Sequence, residues 1–237
     1  MEVFTNAFSV DFMGRYFHVL FGIVWIGTLY YFNFMQVPFF GETDAATKNN
    51  AIVKLVPRAL KWFRWGAMFT FLSGLWLLWS KYGPSMSDGS YMSGTGGLTI
   101  TVGMTLGILM FLNVWLIIWP KQKIVIASTT AVLSGGAANP AAAAAGARAL
   151  VASRTNTLFS IPMLFFMVAS AHYPIRSNPE GSPYAMFGTI MLLITIIEIN
   201  AIKGKLVGPL KSVVGVIHAG LALLFLFFAM LASVSVL

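Results

Sequence analysis

Apolar residues run through this chain in long blocks, and its polar residues gather in short breaks between them. Six apolar stretches, over 12–36, 60–80, 97–119, 154–173, 184–203 and 210–235, approach the length a membrane crossing requires. A helix needs about 20 apolar residues to span a hydrocarbon core of about 30 Å. The breaks carry strong turn formers: Gly41 to Asp44, the Ser/Gly-rich run Gly83 to Gly97, Ser177 to Pro183, and Gly204 to Pro209. No break is long enough for a soluble domain. The pattern predicts an all-α polytopic membrane bundle of about six helices, one domain over 1–237.

The fourth span has an extension. Asn139-Pro140 followed by alanines is a helix-start signature. The helix is therefore expected over 140–173, with its early part projecting on the cytoplasmic side. At 1.5 Å per residue its roughly 33 residues reach about 50 Å, longer than the bilayer is thick. Arg148 and Arg154 are expected near the interface, with a kink at Pro162.

Composition agrees with the pattern. Charged residues make up 9% of the chain and hydrophobic ones 58%, and mean hydropathy is +0.81. Soluble domains carry roughly 25% charge. The net charge of +8 follows topology rather than an anionic partner, and nothing beyond it supports nucleic-acid binding. Twelve of the fifteen basic residues fall in alternate segments, among them Lys48, Arg58, Arg64, Lys121, Lys123, Lys203, Lys205 and Lys211; only Arg15, Lys81 and Arg176 fall in the others. By the positive-inside rule both termini are expected to face outward, N-out and C-out; the expected location is a bacterial inner membrane, with the termini in the periplasm if the cell is Gram-negative. Met1 to Asp11 lacks the basic start and small-residue cleavage site of a signal peptide. With no cysteine there is no thiolate zinc site, iron–sulfur cluster or covalent c-type haem.

Three histidines then stand out: His18 in the first span, His172 at the end of the fourth and His218 in the last. An ionisable ring inside a membrane helix is costly without a partner. Gly14, His18 and Gly22 recur every four residues and share a helix face, leaving a flat slot that suits a haem macrocycle. Arg15 lies near that face, where it could hold a propionate by a charge-assisted bond. A helix-packing groove with His18 hydrogen-bonded to a neighbour is the plainer alternative. His18–His172 and His18–His218 are both possible axial pairs, with His218 expected near the membrane centre.

Glu198 is the one acid deep in a span, open to an interfacial role, pairing with Lys203 or Lys205, or a proton relay. Asn113 reads as an interhelical hydrogen-bond donor. Trp62, Trp65, Trp76 and Trp79 mark the two ends of the second span as an aromatic belt. Gly103 and Gly107 form a helix-packing motif. There is no Walker loop, dinucleotide fingerprint or nucleophile motif.

Arg15-Tyr16-Phe17-His18-Val19-Leu20-Phe21-Gly22-Ile23-Val24-Trp25-Ile26-Gly27, with Tyr30-Tyr31-Phe32-Asn33-Phe34 after it, resembles the first membrane helix of the bacterial urate hydroxylase family, the urate oxidase N-terminal membrane domain. Pro57 to Ala67, Asn113 to Pro120, Ser153 to Met163 and His172-Tyr173-Pro174 carry the same likeness. The domain is distantly similar to membrane proteins of the copper-resistance D and haem-binding protoporphyrinogen-oxidase types, whose first-helix histidine implies His18 as a haem ligand. Urate hydroxylases continue into a C-terminal cytochrome c domain with a Cys-x-x-Cys-His motif. This sequence ends at Leu237 without a cysteine, which leads to the expectation of a separate cytochrome c or a larger assembly.

Two functions follow from the resemblance. One is an integral-membrane haem b protein that passes electrons from a small substrate, urate by implication, or from a quinol toward an external cytochrome c. His18, with His172 or His218, would then ligate iron, and Arg15 or Arg176 would hold propionates. The other is a non-catalytic anchor or accessory subunit of a respiratory or other electron-transfer complex.

Overall fold

A computed structural model describes residues 7–86, 94–173, 175 and 183–232. Among these the chain is helical throughout, with no strand. Helix α1 (Ala7–Tyr30) passes through a π-helical turn, Tyr31–Gln36, into α2 (Val37–Glu42) as one continuous rod. Short α3 (Ala45–Lys54) leads to α4 (Val56–Met86). Helix α5 (Thr95–Leu112) likewise runs through a π turn, Asn113–Ile118, into α6 (Trp119–Leu133). Then come α7 (Ala142–His172), α8 (Pro183–Lys203), a 3-10 turn at Gly208–Lys211, and α9 (Val213–Ala232).

Among the described residues, five rods are long and apolar enough to cross a membrane: Val10–Glu42, Gly96–Leu133, Ala142–His172, Tyr184–Lys203 and Val213–Ala232. The chain is thus a multi-pass membrane protein, whose outer faces meet lipid. The stretch 60–80 is helical within α4 but is not among the five. Its four tryptophans and the basic residues Lys61 and Arg64 dilute its hydropathy. The tryptophans are all exposed, as a belt facing a membrane interface requires.

The rods are sorted by burial. Within its most apolar window α7 is 67% buried, against 22–33% for the other four. It is the hub, with α5, α6, α8 and α9 packed around it and α1 touching it near Tyr30. Helix α1 packs along α4 instead. Small residues set the close approaches. A Cβ on Gly103 of α5 would lie 3.0 Å from the Met167 backbone nitrogen, and one on Gly220 of α9 would lie 3.1 Å from the Leu158 carbonyl. Packing at this distance replaces the hydrophobic drive that lipid does not supply between helices.

Helix α7 begins at Ala142, two residues after the expected Pro140, and the Asn139 side chain accepts from the Ala141 nitrogen before the first turn. Helices α6 and α7 form a long hairpin whose turn uses Gly135 at φ 82. At 31 residues α7 is about 46 Å long, so the hairpin overhangs the bilayer. Arg148 donates to the Gly204 carbonyl at the end of α8, tying the overhang to the bundle.

Direction along the bundle fixes depth. Tyr30 bonds Ser160 at 2.9 Å and Asn33 bonds Ser153 at 2.8 Å, so α1 and α7 run antiparallel. Gly220 meets Leu158 and Ile161 while Phe228 meets Phe165 and Tyr173, so α9 runs parallel to α7. The start of α1 and the end of α9 therefore lie at the same face.

Candidate functional site

Two places hold the chemistry. The first lies between α1 and α4. His18 Nδ1 is 3.1 Å from Ser73 Oγ. The Ser73 hydroxyl has one proton, directed at the carbonyls of Phe69 (2.7 Å) and Thr70 (3.0 Å) on its own helix. With that proton on either carbonyl, the oxygen accepts from His18 Nδ1–H, the tautomer that leaves Nε2 with its lone pair. Gly74 makes room for the ring, since a Cβ there would sit 3.1 Å from His18 Cε1. Ser73 and Gly74 escape a sequence reading because the α1–α4 pairing is not periodic in the chain.

The glycine slot is only half open. On the Gly14 side it is closed by Leu77 and Trp76, 2.9 and 3.1 Å from the position of a Cβ; beside Gly22 nothing lies within 4 Å. An open groove of about 490 Å³ follows the same seam, walled by Phe17, Phe21, Phe69 and Trp76 and reaching Ser73. Arg15 Nε is bound to Asp11 at 2.7 Å, one turn back on its own helix.

The other two histidines stand apart. His172 is exposed at the C-terminal end of α7, and His218 is exposed on α9. His18 and His172 each lie twelve residues from the Tyr30–Ser160 contact and toward the same face, about 18 Å away by helix rise. They share a depth. His218 sits two residues before Gly220, close to the Leu158 level, so it lies roughly 20 Å deeper than His18. It is also only six residues into α9, nearer the start of that span than the centre expected for it. Among the described residues no three of His, Asp and Glu cluster as a metal site. These residues fit one imidazole ligand with a flat apolar group near it, and of the other two rings His172 shares its depth while His218 does not.

The second place is a polar belt in the middle of α7. Six of the eight residues from Ser153 to Ser160 are polar, and all but Ser153 are buried. Asn156 Nδ2 donates to the Met110 carbonyl at 2.9 Å, and Asn156 Oδ1 accepts from Asn113 Nδ2 at 3.0 Å. The other proton of Asn113 Nδ2 goes to Glu198 Oε2 at 3.1 Å. Glu198 is thus bound inside the bundle rather than to Lys203 or Lys205, and Asn113 is the interhelical donor expected of it. On the α1 side, Tyr30 and Asn33 bond Ser160 and Ser153. Both π turns carry a buried asparagine, Asn33 and Asn113, aimed at this belt. A π turn widens the helix locally and commonly marks a functional position.

Arg154 departs from expectation. The positive-inside count places it near the interface, yet it is only 4% exposed, and neither Nε nor Nη1 has an acceptor among the described residues. Counting charges by segment says how charge is distributed along the chain, not that Arg154 is packed against neighbouring helices. The signal available was the density of polar residues in Ser153 to Ser160.

A family model described as urate oxidase N-terminal matches residues 85–230. The chain belongs to the urate oxidase N-terminal family. The matched residues hold the whole α7 belt, Asn113, Glu198, His172 and His218; His18 and Ser73 precede them. No curated protein and no solved structure matches the chain.

Proposed function

We propose that this chain is the membrane part of a urate-oxidising redox system, taking electrons from a small substrate of the urate class, or from a quinol, and passing them toward an external cytochrome c in a bacterial inner membrane. The observation that carries the reading is His18. Its Nδ1 lies against Ser73, which itself reaches an aromatic groove, the kind of contact in which a neighbouring acceptor orients an imidazole ligand. Family membership and the membrane bundle support the redox setting.

In this reading His18 is the protein ligand of a haem b, which supplies one-electron chemistry at a potential set by burial and hydrogen bonding. Ser73 holds the ring in its ligating tautomer, and Phe17, Phe21, Phe69 and Trp76 offer flat apolar faces. His172, at the depth of His18, is the better placed of the other two rings. Visible spectra of the purified chain, oxidised and dithionite-reduced, test this. Soret and α bands of b type are expected, and His18→Ala is expected to remove them. A chain that takes up no haem when supplied with it ends the redox reading. Reduction of the bands on adding urate separately tests the substrate.

A second reading, an accessory subunit of an electron-transfer complex, is favoured by one observation: His218 stands on the outer surface of α9 among Val214, Leu221 and Phe225, all exposed. There a partner's polar group would satisfy the ring. Co-purification of further subunits from the native membrane, lost in His218→Leu, is the outcome this reading requires.

A further inference from the structure

The geometry points to Arg154 as the seat of a small planar anion held inside the bundle, between α7 and α9. Arg154 lies four residues before Leu158 and seven before Ile161, the two residues that meet Gly220, so it shares their face of α7 and looks toward α9. Its relative exposure is 4%, and two of its three guanidinium nitrogens are shielded from solvent with no acceptor. The carboxylate of Glu198 does not answer it, because Glu198 is taken by Asn113, which links to Asn156 on another face of α7. The ion pair Arg15–Asp11 lies at the far end of α1.

A guanidinium cannot shed its proton to escape burial. In an apolar interior an uncompensated charge is strongly disfavoured, and intramembrane arginines generally face a partner or a pathway. The missing partner is therefore an anion brought from outside. A guanidinium is flat and presents paired donors, which match in-plane oxygens on a carboxylate or an oxo-substituted heterocycle better than a spherical ion.

The approach is marked by charge. Arg148, six residues earlier on α7 and about 9 Å away along the helix axis, sits at the end of α8, where Lys203, Lys205 and Lys211 are exposed. Such a basic rim concentrates anions at the mouth of a site.

The choice of urate as the ligand to test rests on the proposed function; the existence of the anion seat does not. Equilibrium dialysis of the full chain in nanodiscs with radiolabelled urate, competed with benzoate or sulfate, reads binding without turnover. Saturable binding is expected, displaced by benzoate and not by sulfate, weakened about 30-fold or more in Arg154→Gln, and partly retained in Arg154→Lys. Haem uptake is read separately from the visible spectrum of the same nanodiscs, so a failed redox reading and a failed anion seat give different patterns. Urate bound equally by Arg154→Gln overturns the proposal, as does displacement by sulfate as strong as that by benzoate. Thermal unfolding without added anion supplies the second arm. Arg154→Met should melt higher than the unaltered chain, because it removes a buried unpaired charge; a lower melting temperature means the guanidinium has a structural partner and ends the proposal.

Discussion

The α1–α4 pair and the α7 hub solve opposite problems with the same few residue types. Between α1 and α4 one imidazole–hydroxyl contact stands beside an open aromatic groove, and His18 itself is half-buried. Around α7 the polar groups are buried and bonded across helices: Asn113 to Asn156 and Glu198, Tyr30 to Ser160, Asn33 to Ser153. The first arrangement stands at an open seam; the second uses most of its donors and acceptors to hold helices together, with Asn33 Oδ1 left without a partner. Arg154 breaks the pattern of the hub, which is why it reads as a ligand seat. A polar residue in a membrane bundle is thus informative less for being polar than for what remains unbonded on it.

The hub should be the costlier place to disturb. Asn156→Leu removes two interhelical bonds, leaving the Met110 carbonyl only its bond within the helix and one Asn113 proton without an acceptor. A loss of about 2–4 kcal/mol is expected, from about 1–3 kcal/mol for each buried group left unmet. Thermal unfolding in detergent would read it. Stability within error of the unaltered chain would mean that the belt is not what binds α5 to α7.

Next in size is Gly220→Val, whose Cβ would fall 2.6 Å from Ile161 Cδ1 and 3.1 Å from the Leu158 carbonyl. Overpacking against backbone costs roughly 1–3 kcal/mol, so a lower melting temperature is expected. Full stability would show that α9 can move away from α7 freely.

At the α1–α4 pair, Ser73→Ala should change stability by no more than about 1 kcal/mol, the worth of one ordinary hydrogen bond. Its effect belongs to the ligand instead. With haem bound, the reduction potential is expected to shift and His18 to lose its fixed tautomer, while the Asn156→Leu variant, if folded, keeps the potential. Equal effects of both substitutions on the potential would erase the distinction between the regions.

The smallest effect lies outside the membrane. Asp44 caps α3, accepting from the Ala46 and Thr47 nitrogens at 2.8 and 3.0 Å and from the Thr47 hydroxyl at 2.6 Å. The Thr47 hydroxyl, ahead of the backbone donors, holds the carboxyl below its ordinary value of 3.8. A depressed folded-state value means the cap contributes fully above that ordinary value and is lost as pH falls through the lower one. Helix α3 should therefore fray only in strongly acidic solution, with Asp44→Asn removing the dependence. Amide exchange in α3 followed against pH reads this directly; fraying that begins near neutrality would mean another group controls it.

Much of this was legible in the chain. The apolar blocks gave the helices, Asn139-Pro140 gave the early start of α7, and Asn113 and Glu198 were conspicuous in apolar surroundings. Other features were hidden for definite reasons. The stretch 60–80 reads as a span from its apolar residues, and in the fold it is part of the long helix α4 packed along α1, with tryptophans exposed toward both ends of the stretch. Arg154 was expected near the interface, but its burial among the helices was not readable, since the chain does not show which face of α7 meets its neighbours. His18 was visible, but Ser73 and Gly74 were not, since only the packing of α1 on α4 brings residues 55 positions apart together. The π turns leave no mark in the order of apolar residues.

Those two wide turns have a consequence for how the rods are phased. Each is a stored insertion, lodging about one residue more than an unbroken α-helix would hold, and removing one residue there would swing everything beyond it through about 100°. In the long rod from Gly96 to Leu133, that swing would carry Trp119 away from the Arg64 guanidinium, 4.0 Å from its ring, and Val125 away from Gly146, while Gly103 and Met110 stayed in place against α7. The two halves of the rod are therefore aimed separately, one by the membrane bundle and one by the overhanging hairpin, and Asn113 stands at the joint.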